Sequence, residues 1–357
     1  MLAPWLEQSG ARDRIDQWSQ TAGLDLARLG TTATAEEITD TAVTQPLVVA
    51  SALLAFEDLD RRGLVPADTI VAGHSVGELA AAAIAGVIGA DDAVALAAVR
   101  GAEMARACAL EPTGMSAVLG GAEDEVLARL AELDLTPANM NAAGQIVAAG
   151  RLSALEELAA NPPEKARVRA LPVAGAFHTR FMAPAQDAVA AAAAKITPSD
   201  PTHTLLSNYD GKPVTSGADA LERLAAQVTR PVRWDLCTAS LREAQVSRIV
   251  ELPPAGTLVG IAKREMRGTP TVALKTPRRS PLWPKVFNSV RLLRAPSHST
   301  GTSPGTPRTP DRKHPAGFER HSRQIEKGAT SWPPPRKKSS PVSRRSSKRS
   351  PASSPPR

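Results

Sequence analysis

Apolar residues recur at helical spacing through residues 11–29, with Ile15, Trp18, Leu24, Leu26 and Leu29 as packing positions, and Pro4-Trp5-Leu6 reads the same way. The chain therefore opens on helix. Ala35-Glu36-Glu37-Ile38 reads as a helix start, and a long helix follows Gln45-Pro46, with Pro46 in its first turn. From Leu47 to Phe56 that helix is apolar on nearly every side, which predicts burial. A polar turn leads to a short strand at 70–72, then helices at 78–85 and from Asp91 to Met104.

After Glu111-Pro112-Thr113-Gly114 the period changes. Strands are predicted at 115–119, 137–141, 145–149 and 167–173, with helices at 123–133 and 153–160, the second capped by Ser153 with Glu156 three residues on. This β-α-β-β-α-β order is the split βαβ, ferredoxin-like unit. It occupies residues 114–174 and reads as an insertion into a larger domain made of residues 1–113 and 175–277. In the second part, helices are predicted at 185–195, 218–228, 234–244 and 257–266, and strands at 205–208, 248–252 and 271–274.

No period survives beyond Pro277. Residues 278–357 hold 14 Pro and 15 Ser and carry a net charge of +16, against −9 for residues 1–277, so the overall +7 describes neither part. Such a tail cannot bury a core and is expected to be disordered. Its few aromatic residues disfavour a specific nucleic-acid function. Two cysteines, Cys108 and Cys237, make no disulfide framework and have no metal-ligand spacing with His, so both are expected to be reduced thiols in a cytoplasmic protein. No run of about 18 apolar residues was found, so no membrane span is expected.

The candidate chemistry sits in Gly73-His74-Ser75-Val76-Gly77-Glu78. An apolar strand precedes this Gly-x-Ser-x-Gly and an Ala-rich helix former follows, which is the strand, sharp turn and helix that present a nucleophilic serine. Gly73 and Gly77 are read as clearing side chains from the crossing of strand and helix. The free N–H groups at the helix start, Val76 foremost, can hold an oxyanion.

Together with Arg100, Ala176-Phe177-His178-Thr179 and Pro231-Val232-Arg233-Trp234, these motifs resemble the malonyl-CoA:acyl carrier protein transacylase family, over residues 3 to 277. The resemblance implies an α/β fold: an α/β-hydrolase-like large domain with the inserted ferredoxin-like subdomain. It implies Ser75 as nucleophile and His178 as base, the histidine oriented by a backbone carbonyl near Arg233 rather than by a carboxylate. It implies Arg100 as the clamp on the free malonyl carboxylate and the Val76 N–H as an oxyanion donor. Ala-Phe-His accompanies malonyl selection in related domains, so Phe177 is expected to fill the space of a branching methyl. His74 and Asn141 are expected to support the site by hydrogen bonds, with a purely structural role an equal alternative.

The implied substrates are malonyl-CoA and phosphopantetheinylated acyl carrier protein, with no metal or prosthetic cofactor, no membrane partner and a monomeric enzyme. Polyketide-type transfer, thioester hydrolysis on the same fold, and a catalytically impaired copy are the competing readings. Two departures stand out. The family's opening strand and Gly-Gln-Gly turn, the source of its second oxyanion N–H, are absent, which reads as a start codon placed too far downstream. The change after Pro277 reads as a reading-frame shift.

Overall fold

The structure is a computed structural model that describes residues 1–173 and 175–277. The expectations of a disordered, frame-shifted tail at 278–357 lie outside the described residues.

The first half is helical because its apolar positions are. Helices α1 (Ala11–Ala22), α2 (Leu26–Leu29) and α3 (Ala35–Thr39) lead into α4 (Thr41–Arg61). Thr34 and Glu37 form a reciprocal capping box on α3. Asp40 caps α4 by accepting the Ala42 N–H at 2.9 Å. The cap starts α4 several residues earlier than expected, so Pro46 lies inside the helix rather than in its first turn.

By length and apolar composition α4 could cross a membrane, but two-thirds of that stretch (67%) is buried inside the protein, as a core helix requires. Its buried Leu47, Val49, Ala50, Leu53 and Ala55 join the largest apolar core. Helix α6 (Ala90–Cys108) packs along α4. Gly101 makes the approach possible: a Cβ there would stand 2.7 Å from the Thr41 carbonyl oxygen. That crossing brings Gln45 of α4 against Arg100 of α6.

Strand β1 (Ile70–Val71) feeds the serine turn and α5 (Gly77–Ile84). The next stretch alternates as expected: β2 (Thr113–Gly120), α7 (Glu123–Glu132), β3 (Thr136–Ala142), β4 (Gln145–Arg151), α8 (Leu152–Ala160) and β5 (Ala166–Ala170). Its strands lie in the order β5-β2-β4-β3, all pairs antiparallel, over a core that includes Val118, Val126, Leu130, Ile146 and Leu158. Ser153 does not cap α8. Arg151 holds the N-cap position without a side-chain bond, and the helix starts one residue before the serine. β5 stops at Ala170, three residues short of the expected end.

The remaining elements are α9 (Ala183–Ala193), β6 (Thr204–Leu206), β7 (Pro213–Val214), α10 (Gly217–Ala226), β8 (Val232–Arg233), α11 (Trp234–Glu243), β9 (Ile249–Glu251), α12 (Thr257–Glu265) and β10 (Thr271–Ala273). The sequence pattern predicts neither β7 nor β8, each only two residues long. β8 adds to the antiparallel sheet as a fifth strand, parallel to β3, with Asn139 opposite Val232 and Met140 opposite Arg233. β1 pairs in parallel with β6, and β9 in parallel with β10. The mixed α/β class is therefore as expected.

Two pairings position the site. The β1–β6 ladder places the segments after both strands, which carry Ser75 and Asn208, side by side beyond the carboxyl ends of a parallel pair. The β3–β8 ladder places Asn141, at the end of β3, next to the start of α11.

Candidate active site

Ser75 takes a positive φ of 54°, a conformation that non-glycine residues adopt at a cost. The turn is held from several sides. Asn208 Oδ1 accepts the Ser75 N–H at 2.8 Å, and Asn208 Nδ2 donates to the Gly73 carbonyl at 2.7 Å. The Ser75 carbonyl accepts the Glu78 N–H at 2.9 Å and Gln227 Nε2 at 3.1 Å.

Gly73 is required by space, since a Cβ there would lie 2.1 Å from the Gly77 carbonyl group. Gly77 is not, because a Cβ there meets nothing within 4 Å. The turn folds the chain so that only Gly73 faces the opposing backbone, which corrects the reading of the two glycines as equivalent. Val76 sits at the N-cap of α5, so its N–H lies outside that helix's own hydrogen-bond ladder.

The Ser75 hydroxyl is 2.7 Å from His178 Nε2. His178 also has a positive φ, 61°, and is 3% exposed. Its Nδ1 donates to the Gln227 carbonyl at 2.8 Å, which leaves Nε2 as the acceptor for the serine proton. The orienting group is thus a backbone carbonyl, that of Gln227, and the main chain of Arg230, three residues before Arg233, also favours the imidazole N–H. The Gln227–Thr229 turn after α10 brings that carbonyl under the ring, whereas the Arg233 side chain pairs with Asp235.

Arg100 is 2% exposed on α6. Its Nη1 donates to Gln45 Oε1 at 2.6 Å and its Nη2 to Gln227 Oε1 at 2.9 Å; Nη2 also reaches the Ser75 hydroxyl at 3.4 Å. Both direct partners besides the serine are neutral amides. The guanidinium keeps its charge, its pKa lowered to about 10 by burial with Glu78 opposing.

Burial and the Arg100 charge push His178 down to about 3, against the pull of the Gln227 carbonyl. The imidazole is therefore neutral at ordinary pH. Glu78, 6% exposed, is pushed up to about 7 by burial, while bonds from Asn208 and Gln227 and the Arg100 charge pull it back. Cys237, buried, is raised to about 12, which makes it a poor nucleophile.

Ser75, Val76, His178 and Arg100 thus come together. His74 and Asn141 form a pair beside them, Nε2 to Oδ1 at 2.9 Å, with the imidazole set edge-on to Trp234 at 5.6 Å between ring centroids. Phe177 is half-buried and packs toward the clusters containing Met115 and Phe181. The sequence reading gave no role to Gln45, Glu78, Asn208 or Gln227. Glu78 was visible as the last residue of the serine motif, and Gln45 as the residue before Pro46; nothing marked Asn208 or Gln227.

The arrangement is a half-buried serine paired with a buried histidine, with a guanidinium beside the hydroxyl. It can form an acyl ester and hold an acyl group that carries its own carboxylate.

Comparison with known proteins points the same way. The sequence profile of the acyl transferase domain matches residues 10–283. A malonyl CoA-acyl carrier protein transacylase from Mycolicibacterium smegmatis is 70% identical over 281 residues, covering 78% of this chain and 97% of the relative. The crystal structure of MCAT from Mycobacterium tuberculosis is similar at a TM-score of 0.76 and 71% identity, covering 77% of this chain and 92% of that one. A malonyl-transacylase in complex with its type II PKS acyl-carrier protein is similar at a TM-score of 0.70 and 27% identity, covering 76% and 90%.

Proposed function

The chain belongs to the acyl transferase domain family, and we propose that it moves a malonyl group from coenzyme A to the phosphopantetheine thiol of acyl carrier protein, in fatty-acid biosynthesis. The observation that carries this reading is the Ser75 hydroxyl lying 2.7 Å from His178 Nε2 and 3.4 Å from Arg100 Nη2.

The Ser75 oxygen attacks the thioester carbon while His178 Nε2 takes its proton. The Val76 N–H stabilises the resulting oxyanion. Collapse breaks the carbon–sulfur bond, and His178 returns the proton to the departing coenzyme A sulfur. The malonyl group is now a seryl ester. The carrier's thiol enters, loses its proton to His178 and attacks the ester, and the serine leaves with that proton. No net redox change occurs and no water is consumed.

Arg100 holds the malonyl carboxylate, a group that acetyl lacks. Pairing Arg100 with that carboxylate cancels part of the charge that weakens His178, so the base strengthens when the right acyl group is bound. Phe177 limits branching next to the thioester. Asn141 braces His74, the residue before the nucleophile. The side chains and the two thiol-bearing substrates carry the chemistry, with no resident metal or prosthetic group.

In this reading the β2–β5 unit is a ferredoxin-like insertion in an α/β-hydrolase-like domain, a view supported by its β5-β2-β4-β3 order. The enzyme works as a cytoplasmic monomer. Incubation with malonyl-CoA and holo-carrier tests the reading. Malonyl-carrier should form faster than free malonate; malonate release exceeding transfer would point to a hydrolase instead.

A further inference from the structure

Beneath the nucleophile lies a buried carboxylate, Glu78, bonded by two further buried polar residues, Asn208 and Gln227. Glu78 is 6% exposed, Gln227 5% and Asn208 fully buried. One Glu78 oxygen accepts the Asn208 main-chain N–H, and the other accepts Gln227 Nε2. Asn208 in turn holds the Ser75 N–H and the Gly73 carbonyl. Gln227 presents its amide oxygen to Arg100 and its main-chain carbonyl to His178.

A glutamine side chain has two different ends, and something must decide which one faces the guanidinium. An ionised carboxylate only accepts hydrogen bonds. Glu78, together with the Ser75 carbonyl at 3.1 Å, therefore binds the NH₂ end of Gln227 and leaves only the oxygen for Arg100. A neutral amide at position 78 could donate as well as accept. Gln227 would then keep only the Ser75 carbonyl as a fixed acceptor for its NH₂, and in the share of molecules where it turned over it would set its own N–H groups against those of Arg100, donor against donor, so that the guanidinium would have to shift.

We propose that Glu78 is a positioning residue for acyl selection, acting through the Gln227 amide to hold Arg100 in the orientation that meets the substrate's free carboxylate. This rests on the malonyl-transfer reading. It also makes a prediction opposite in sign to a simple charge effect. If Glu78 mattered only as a negative charge near Arg100, removing that charge would strengthen the pull on a malonyl carboxylate. If it orients Gln227, removing the charge weakens malonyl handling.

The test compares seryl-ester formation from malonyl-CoA and acetyl-CoA at pH 8, where Glu78 is ionised. Glu78→Gln should lower the malonyl-to-acetyl ratio of kcat/KM by about tenfold, the scale of a disturbed hydrogen bond to a charged group. Gln227→Met removes the amide but keeps the main-chain carbonyl on His178, and should lower the ratio similarly. The double variant should fall no further than Gln227→Met alone, because the two residues act in series. Glu78→Asp keeps the charge but withdraws it from Gln227, and should also lower the ratio; it carries the comparison if Glu78→Gln does not fold.

An unchanged or raised ratio in the Glu78 variants, or losses that multiply in the double variant, would overturn the proposal. Wild-type protein that takes up no malonyl group would instead defeat the reading of its activity, so the two failures are distinct.

Discussion

Ser75 and His178, 103 residues apart in sequence, meet at 2.7 Å while both hold a positive φ, 54° and 61°. Each residue is strained alone, and Gln227 bonds both, the serine through its side chain and the histidine through its main-chain carbonyl. Asn208 and Gln227 brace the serine turn, and Gln227 also accepts the histidine N–H. Strain of this kind persists only where the surroundings over-determine it, and here the surroundings are one buried network.

The serine turn predicts an asymmetry between its two glycines. Gly73→Ala would place a Cβ 2.1 Å from the Gly77 carbonyl group and 2.4 Å from the Glu78 nitrogen, all backbone. It should cost about 3 kcal/mol or more of stability. Gly77→Ala meets open space and should stay within about 1 kcal/mol of wild type. Denaturant melts of the two variants make the check; equal losses would contradict the turn geometry.

Arg100→Lys keeps the charge but loses the fork that Gln45 and Gln227 hold in place. Malonyl loading should fall about 10²-fold or more, and acetyl loading much less, measured as kcat/KM for each acyl-CoA. Equal losses for both acyl groups would count against a carboxylate clamp.

His178 has its pKa depressed from 6.5 to about 3, chiefly by burial and then by Arg100. As pH falls through 6.5 the unfolded chain takes up a proton here and the folded chain does not. The stability this group contributes is therefore complete above 6.5 and is lost as pH falls toward 3. In a histidine-resolved NMR titration the His178 signal should stay flat between pH 8 and 5. A midpoint near 6.5 would show the imidazole to be solvated.

The sequence announced the elements whose signal is local. The strand–turn–helix around Ser75 needed only an apolar run, two glycines and an Ala-rich helix former, and β2 through β5 needed only alternation and length. The short strands β7 and β8 carry no period, because two residues cannot show one. The displaced start of α4 has a different cause: Asp40 outcompeted Pro46 as the start signal by capping the helix earlier.

Apart from Glu78, which lies in the serine motif itself, the parts of the site that were missed are distant from Ser75 in sequence. Gln227 acquires its position from the turn after α10, and Asn208 from the parallel pairing of β1 with β6. Gln45 meets Arg100 only because Gly101 lets two helices touch. None of these relationships leaves a mark in its own neighbourhood of the chain.

The most direct test is intact-protein mass spectrometry after brief exposure to malonyl-CoA, on wild type and Ser75→Ala. Wild type should gain one malonyl group, localised by peptide mapping to Ser75 and lost on adding holo-carrier, while Ser75→Ala should gain none. Undiminished labelling of Ser75→Ala would contradict the account at its centre.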